Sequence, residues 1–138
     1  MNIFFDSSAW AKRYIAEKGS DEIESICLKA ENVTLSILCI PEIISAFTRL
    51  KREGKVTLNQ YKQLQKSLYK DIEDVRLINI SLEIISYAVN LIKKYPLRTL
   101  DALNIACAKF GKVDLFITSD YRQSEAAKGI DLQVELID

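Results

Sequence analysis

The sequence predicts an α/β sandwich around a mostly parallel sheet of about five strands, and two observations carry that prediction. Five short β-prone runs alternate with helical patterns along the chain. Several of those runs are apolar without clean alternation, as expected of strands covered on both faces. No repeat, low-complexity tract or linker interrupts the 138 residues. With 49% of them hydrophobic, they read as one domain spanning residues 1–138.

The strands are IFF at 3–5, VTLSI at 33–37, RLINI at 76–80, DLFIT at 114–118 and LQVELI at 132–137. After the first strand, SAWAKRYIA reads as a helix. SDEIESICLKA follows, with Ser20 placed to cap its start. Pro41 suits the first turn of a helix running to about Lys51. Thr57 and Gln60 form a capping-box pattern. The helix they open carries Leu58, Tyr61, Leu64, Leu68 and Ile72 on one side, with Lys62, Lys66 and Lys70 on another. Ser81 is placed to cap SLEIISYAVNLIKK, and Thr99 to cap TLDALNIACAKF.

Composition removes whole classes of chemistry. The chain has no histidine, which excludes Ser-His-Asp and Cys-His nucleophilic schemes and His-based metal sites. Its four glycines build neither a G-x-G-x-x-G nor a Walker phosphate loop. Cys27, Cys39 and Cys107 form no close-spaced pair and read as buried thiols, with zinc and disulfides not expected. No apolar run is long enough to cross a bilayer. The start, MNIFFDSSAW, carries an acid where a secretion leader would carry basic residues. A soluble cytoplasmic protein with no membrane partner is expected. Its chemistry must run on carboxylates, hydroxyls, Lys or Arg.

Net charge is zero but unevenly spread. Residues 49–70 hold seven basic residues and one acid, Glu53, for a charge of +6, and the rest of the chain is −6. Local potential of this kind steers anionic partners despite a neutral total. Tyr61 and Tyr69 in this segment offer rings on which unpaired bases can stack. Lysines spaced by four are also the ordinary wet face of a helix.

The segment LCIPEIISAF, 38–47, sets one carboxylate, Glu42, among apolar, small and turn-forming residues. Buried carboxylates are normally paired or bound to a metal. In open parallel sheets, ligands bind beyond the carboxyl ends of the strands, so acids at strand-to-helix junctions are the ones to compare. Asp6 follows the first strand and Asp120 follows LFITS, while Glu42 and Asp101 lie in the first turns of helices. Each has a structural explanation, as an N-cap or as a complement to a helix dipole. One shared cause accounts for all four, namely a divalent cation. Oxygen-only ligation without His or Cys suits Mg²⁺ or Mn²⁺ rather than zinc. Such an ion would also relieve the repulsion among the acids.

The full set resembles a PIN domain, most closely the toxin ribonucleases of VapBC-type toxin–antitoxin systems. IFFDSSAWAK resembles the family's first motif and the isolated Glu of IPEIISAF its second. LRTLDALNIACA resembles the third, and FITSDYRQSEAAKGIDLQV the closing segment with its T-x-D, a helix and a last strand. The resemblance spans nearly the whole chain and implies a three-layer α/β/α fold. It implies a metal-dependent endoribonuclease that cuts phosphodiesters through activated water. Asp6, Glu42 and Asp101 would fix Mg²⁺ or Mn²⁺, and Asp120 would complete the set. Ser7 and Thr118 fall where hydroxyls assist the site, and Asn104 receives no catalytic role. A cognate antitoxin and a homodimer are further implications, with helices from 20 to 72 offering apolar surface for them. Lys12, Arg13 and Arg98, each close in sequence to a proposed ligand, are the individual candidates for RNA contact.

Three rivals compete. A haloacid-dehalogenase-like phosphatase needs a second Asp two residues after the first, where this chain has Ser8. A receiver domain wants paired acids after its first strand and a Lys near its last, and FFDSS with DLQVE fits that poorly. A non-catalytic module with the PIN fold, binding RNA or protein, is the remaining alternative.

Overall fold

Side-chain alternation along the first strand sets up two separate cores. The computed structural model describes residues 1–138. In β1 (Asn2–Phe5), Ile3 and Phe5 enter one hydrophobic core and Phe4 the other. Successive residues of a strand point to opposite faces, so a strand with both cores to fill must be apolar throughout. IFF is. In β4 (Leu115–Thr118), Phe116 stacks on Phe4 with ring centroids 5.5 Å apart, while Ile117 joins Ile3 and Phe5.

β1 and β4 form the centre of a five-stranded, wholly parallel sheet in the order β3-β2-β1-β4-β5, with β2 at Asn32–Ser36, β3 at Arg76–Ile78 and β5 at Val134–Leu136. On one face pack α1 (Ser7–Trp10), α2 (Ser20–Lys29), α3 (Cys39–Arg52) and α4 (Leu58–Ile72), which bury Trp10, Ile23, Ile43, Phe47 and Leu68. On the other lie α5 (Leu82–Lys94), α6 (Thr99–Phe110) and α7 (Tyr121–Gly129). The run ALNIACA lets α6 approach the sheet closely, and Ala102, Ile105, Ala106, Cys107 and Ala108 are all buried. The result is the three-layer α/β/α arrangement expected of the sequence. The chain winds from β1 out to β3, then crosses back past β1 to β4 and β5. The strand order therefore reverses between β1 and β4, the position at which open α/β sheets form ligand crevices.

Local expectations met several exceptions. SAWAKRYIA is not one helix: α1 ends at Trp10 and continues only as a 3₁₀ turn over Ala11–Arg13. Tertiary contacts override helix propensity there, because the Tyr14 hydroxyl donates to Asp71 (2.8 Å) and its ring packs edge-on against Phe47. Ser20 does not cap α2. Gly19, at φ 93°, takes that position, and Ser20 Oγ instead accepts from the Glu17 N–H. Thr99 is the first helical residue of α6 behind Arg98. The Thr57–Gln60 capping box and the Ser81 cap form as expected. The outer strands β3 and β5 are shorter than 76–80 and 132–137, since each has a pairing partner on one side only. No helix is long and apolar enough to cross a membrane.

Candidate active site

Asp6 sits at the reversal point. Its backbone N–H donates to Ile117 O (3.0 Å), closing the β1–β4 ladder, and its side chain then turns to cap α1 through the Ala9 N–H at 2.9 Å. Ser8 Oγ donates to the same carboxylate, and Thr118 Oγ1 donates to Oδ2 at 2.7 Å. Asp6 is fully buried. Burial pushes its carboxyl up to about 6, against the pull of the Ala9, Thr118 and Ser8 donors, and the charge of Glu42 adds to the rise.

Glu42 lies one turn into α3, opposite. Its Oε1 accepts from Ser7 Oγ (2.7 Å) and from Asn104 Nδ2 (3.1 Å). These neutral donors, not a basic side chain, are the protein partners of the carboxylate isolated in LCIPEIISAF. Burial raises its pKa as well, the Ser7 and Asn104 bonds opposing, with Asp101 adding like charge and Arg98 opposite charge. Asp101 accepts from the Arg98 backbone N–H (3.3 Å) and guanidinium (3.4 Å) through one oxygen, and from Gln123 Nε2 (3.1 Å) through the other. Asp120 caps α7 by accepting from the Arg122 N–H (2.8 Å), and its own N–H donates to Thr118 Oγ1 (3.0 Å).

The four acids line one cavity of about 330 Å³, bordered by Ser7, Ser8, Asn104 and Gln123, and by Arg49 and Arg98. A wider groove of about 750 Å³ adjoins it and shares Glu42, Arg49, Arg98 and Asp101. Capping and shared function are thus not alternatives here, since Asp6 and Asp120 cap helices and face a common space. Each carboxylate is turned onto protein donors, and no group of three or more His, Cys, Asp or Glu forms a ready-made metal cage. The donor set nevertheless fits a hard divalent cation. It is all oxygen, it concentrates negative charge, and Asn104 and Gln123, which line the same cavity, each carry a buried side-chain oxygen without a hydrogen-bond partner.

Of the residues expected to contact RNA, only Arg98 reaches this cavity. Lys12 Nζ is buried, donating to Lys18 O (2.6 Å) and pairing with Glu17. Arg13 lies over the Trp10 ring and pairs with Asp71 and Glu24, beside a different pocket. Tyr61 donates or accepts with Thr48 and carries Lys51 over its ring, while Tyr69 is exposed. Ser8, Asn104 and Gln123 line the cavity but are not among the site residues that the sequence predicts. Asn104 and Gln123 each lie three residues beyond a junction acid, the helical spacing that returns a side chain to the same face, and this was the available signal.

Residues 3–129 match the model of a family described as PIN domain. The chain belongs to the PIN domain family. Solved structures share its fold at low sequence identity. VapC20 of Mycobacterium tuberculosis superimposes with a TM-score of 0.69 at 16% identity, covering 90% of this chain and 94% of that one. VapBC2 of Rickettsia felis gives 0.71 at 13% identity and covers all of both chains. A toxin–antitoxin complex from Klebsiella pneumoniae gives 0.66 at 16%, covering 88% of each. No curated protein sequence matches this PIN domain.

Proposed function

We propose that this PIN domain is a Mg²⁺- or Mn²⁺-dependent endoribonuclease, and the toxin of a type II toxin–antitoxin pair working in the cytoplasm. The observation that carries the reading is the convergence of Asp6, Glu42, Asp101 and Asp120 on one cavity at the reversal point of the sheet. These four would hold the cation. When bound, the ion would acidify water and neutralise charge developing on a phosphate. The chain's own residues do the rest. Ser7 and Asn104 fix Glu42, Thr118 and Ser8 fix Asp6, and Arg49 and Arg98 at the rim offset the acids' repulsion of a phosphate backbone.

The named neighbours support the biological role. VapC20 is described as a toxin that cleaves the sarcin–ricin loop, the Klebsiella structure as a toxin–antitoxin complex, and the Rickettsia structure as VapBC2 bound to a DNA fragment from their promoter. An apolar groove between the Tyr14–Ala16 segment and Leu50, Val56 and Leu64 supports an antitoxin partner. Beyond the helices from 20 to 72, a further apolar surface supports a homodimer. On α5, Leu82, Ile85, Val89 and Ile92 form an exposed apolar stripe. A non-catalytic RNA- or protein-binding module is the second reading, favoured by the protein donors that already satisfy Glu42 and Asp101.

Incubation of single-stranded RNA with the protein in Mg²⁺ or Mn²⁺, with EDTA as control, separates the two. The nuclease reading expects metal-dependent cleavage that Asp6→Asn and Asp101→Asn abolish while the fold persists. RNA binding without turnover in any metal supports the module instead.

A further inference from the structure

The cavity contains two amides whose oxygens have no partner. Asn104 Nδ2 donates to Glu42 Oε1 (3.1 Å) and to Leu100 O (3.1 Å), and Gln123 Nε2 donates to Asp101 Oδ1 (3.1 Å). An ionised carboxylate only accepts, so the nitrogen end of each amide must face it and the oxygen end must point elsewhere. Asn104 is 1% exposed and Gln123 4%. Asn104 Oδ1 and Gln123 Oε1 are buried and accept nothing from the protein, although both side chains line the acid cavity. A buried carbonyl without a donor is destabilising, and native structures rarely keep one without a use.

We infer that Asn104 and Gln123 are a matched pair of positioning residues. Their amide N–H groups hold Glu42 and Asp101, and their free oxygens accept hydrogen bonds from the water shell of a divalent cation. The inference rests on the metal-dependent reading above. A phosphodiester offers no donors, and any anion is repelled by four carboxylates, whereas a hydrated Mg²⁺ is cationic and rich in O–H donors. Outer partners of this kind orient the ligating groups, and their loss weakens metal binding 10- to 100-fold. The pairing is reciprocal in form. One amide serves each of two carboxylates that come from helices on opposite sides of the sheet, α3 and α6.

The test is a Mg²⁺ titration of the ¹⁵N-labelled intact chain, followed by NMR through the side-chain NH₂ signals. The Asn104 and Gln123 signals should shift saturably, with the same midpoint as backbone amides around Asp6 and Asp101. Asn104→Leu and Gln123→Met should each raise the Mg²⁺ dissociation constant at least tenfold while keeping the dispersed spectrum of a folded protein. Should either variant fail to fold, the wild-type titration still decides. Static side-chain signals beside responding backbone amides overturn the positioning role and leave the metal reading intact. If no signal responds to Mg²⁺ and no broadening follows Mn²⁺, the metal reading falls, and this inference with it.

Discussion

Thr118 Oγ1 donates a 2.7 Å hydrogen bond to Asp6 Oδ2, joining the ends of the two central strands across 112 positions of sequence. The same hydroxyl oxygen accepts from the Asp120 N–H, so one side chain ties together two of the four cavity acids. Burial is complete at both Asp6 and Thr118, so this bond is shielded from competing water.

Thr118→Val keeps the shape and removes the hydroxyl. A hydrogen bond to a charged group contributes about 1.5–3 kcal/mol, so urea denaturation should show a loss of about 2 kcal/mol at neutral pH. RNA cleavage should fall by more than folding does, because Asp6 and Asp120 both lose their anchor. A variant as stable and as active as the parent would remove Thr118 from the account.

Burial also fixes a pH dependence. The Asp6 carboxyl is raised from 3.8 to about 6 in the folded protein. The folded state therefore binds this proton more tightly than the unfolded chain does. The resulting stability is fully present below about pH 3.8 and is lost as pH rises through about 6. The difference corresponds to at most about 3 kcal/mol. Asp6→Asn carries no charge to desolvate, so in EDTA it should be the more stable protein at pH 7.5, and the gap should close toward pH 4. Equal gaps at both pH values contradict the desolvation argument.

Much of this was legible in the sequence, and the illegible parts share a cause. The apolar run IFF announced a doubly covered strand, and acids at strand-to-helix junctions announced the carboxylates that line one cavity, because strand ends and helix starts are marked by local pattern. What could not be read was which long side chains reach the cavity. Lys12 stands six residues after Asp6, yet the break of the helix at Trp10 turns it onto Lys18 O and Glu17. Arg49 lies seven residues past Glu42 and borders the cavity. Gln123 was hidden for a different reason. Its carboxylate partner, Asp101, is on another helix, 22 positions away.

RNA affinity tests that placement. Single-strand binding weakens with log salt by about 0.7 per phosphate neutralised. Arg49→Gln together with Arg98→Gln should therefore flatten the salt slope by roughly 1.4, measured by fluorescence anisotropy. Arg13→Gln should leave the slope alone while lowering stability, since Arg13 stacks on Trp10 and pairs with Asp71. The reverse pattern would put the RNA path on the wrong face.

The α5 stripe predicts association. Ile85→Glu with Val89→Glu places two charges on an apolar surface, and light scattering should show a dimeric parent becoming monomeric. A parent that is monomeric at high micromolar concentration rejects α5 as a dimer face.

The most direct measurement is calorimetric titration of Mn²⁺ into the intact chain and into Asp6→Asn, Glu42→Gln, Asp101→Asn and Asp120→Asn. Binding to the parent should be saturable, weakened at least tenfold by each of the first three changes and to a lesser degree by the fourth. A parent that takes up no ion, or acid variants that bind it as tightly as the parent, would contradict it.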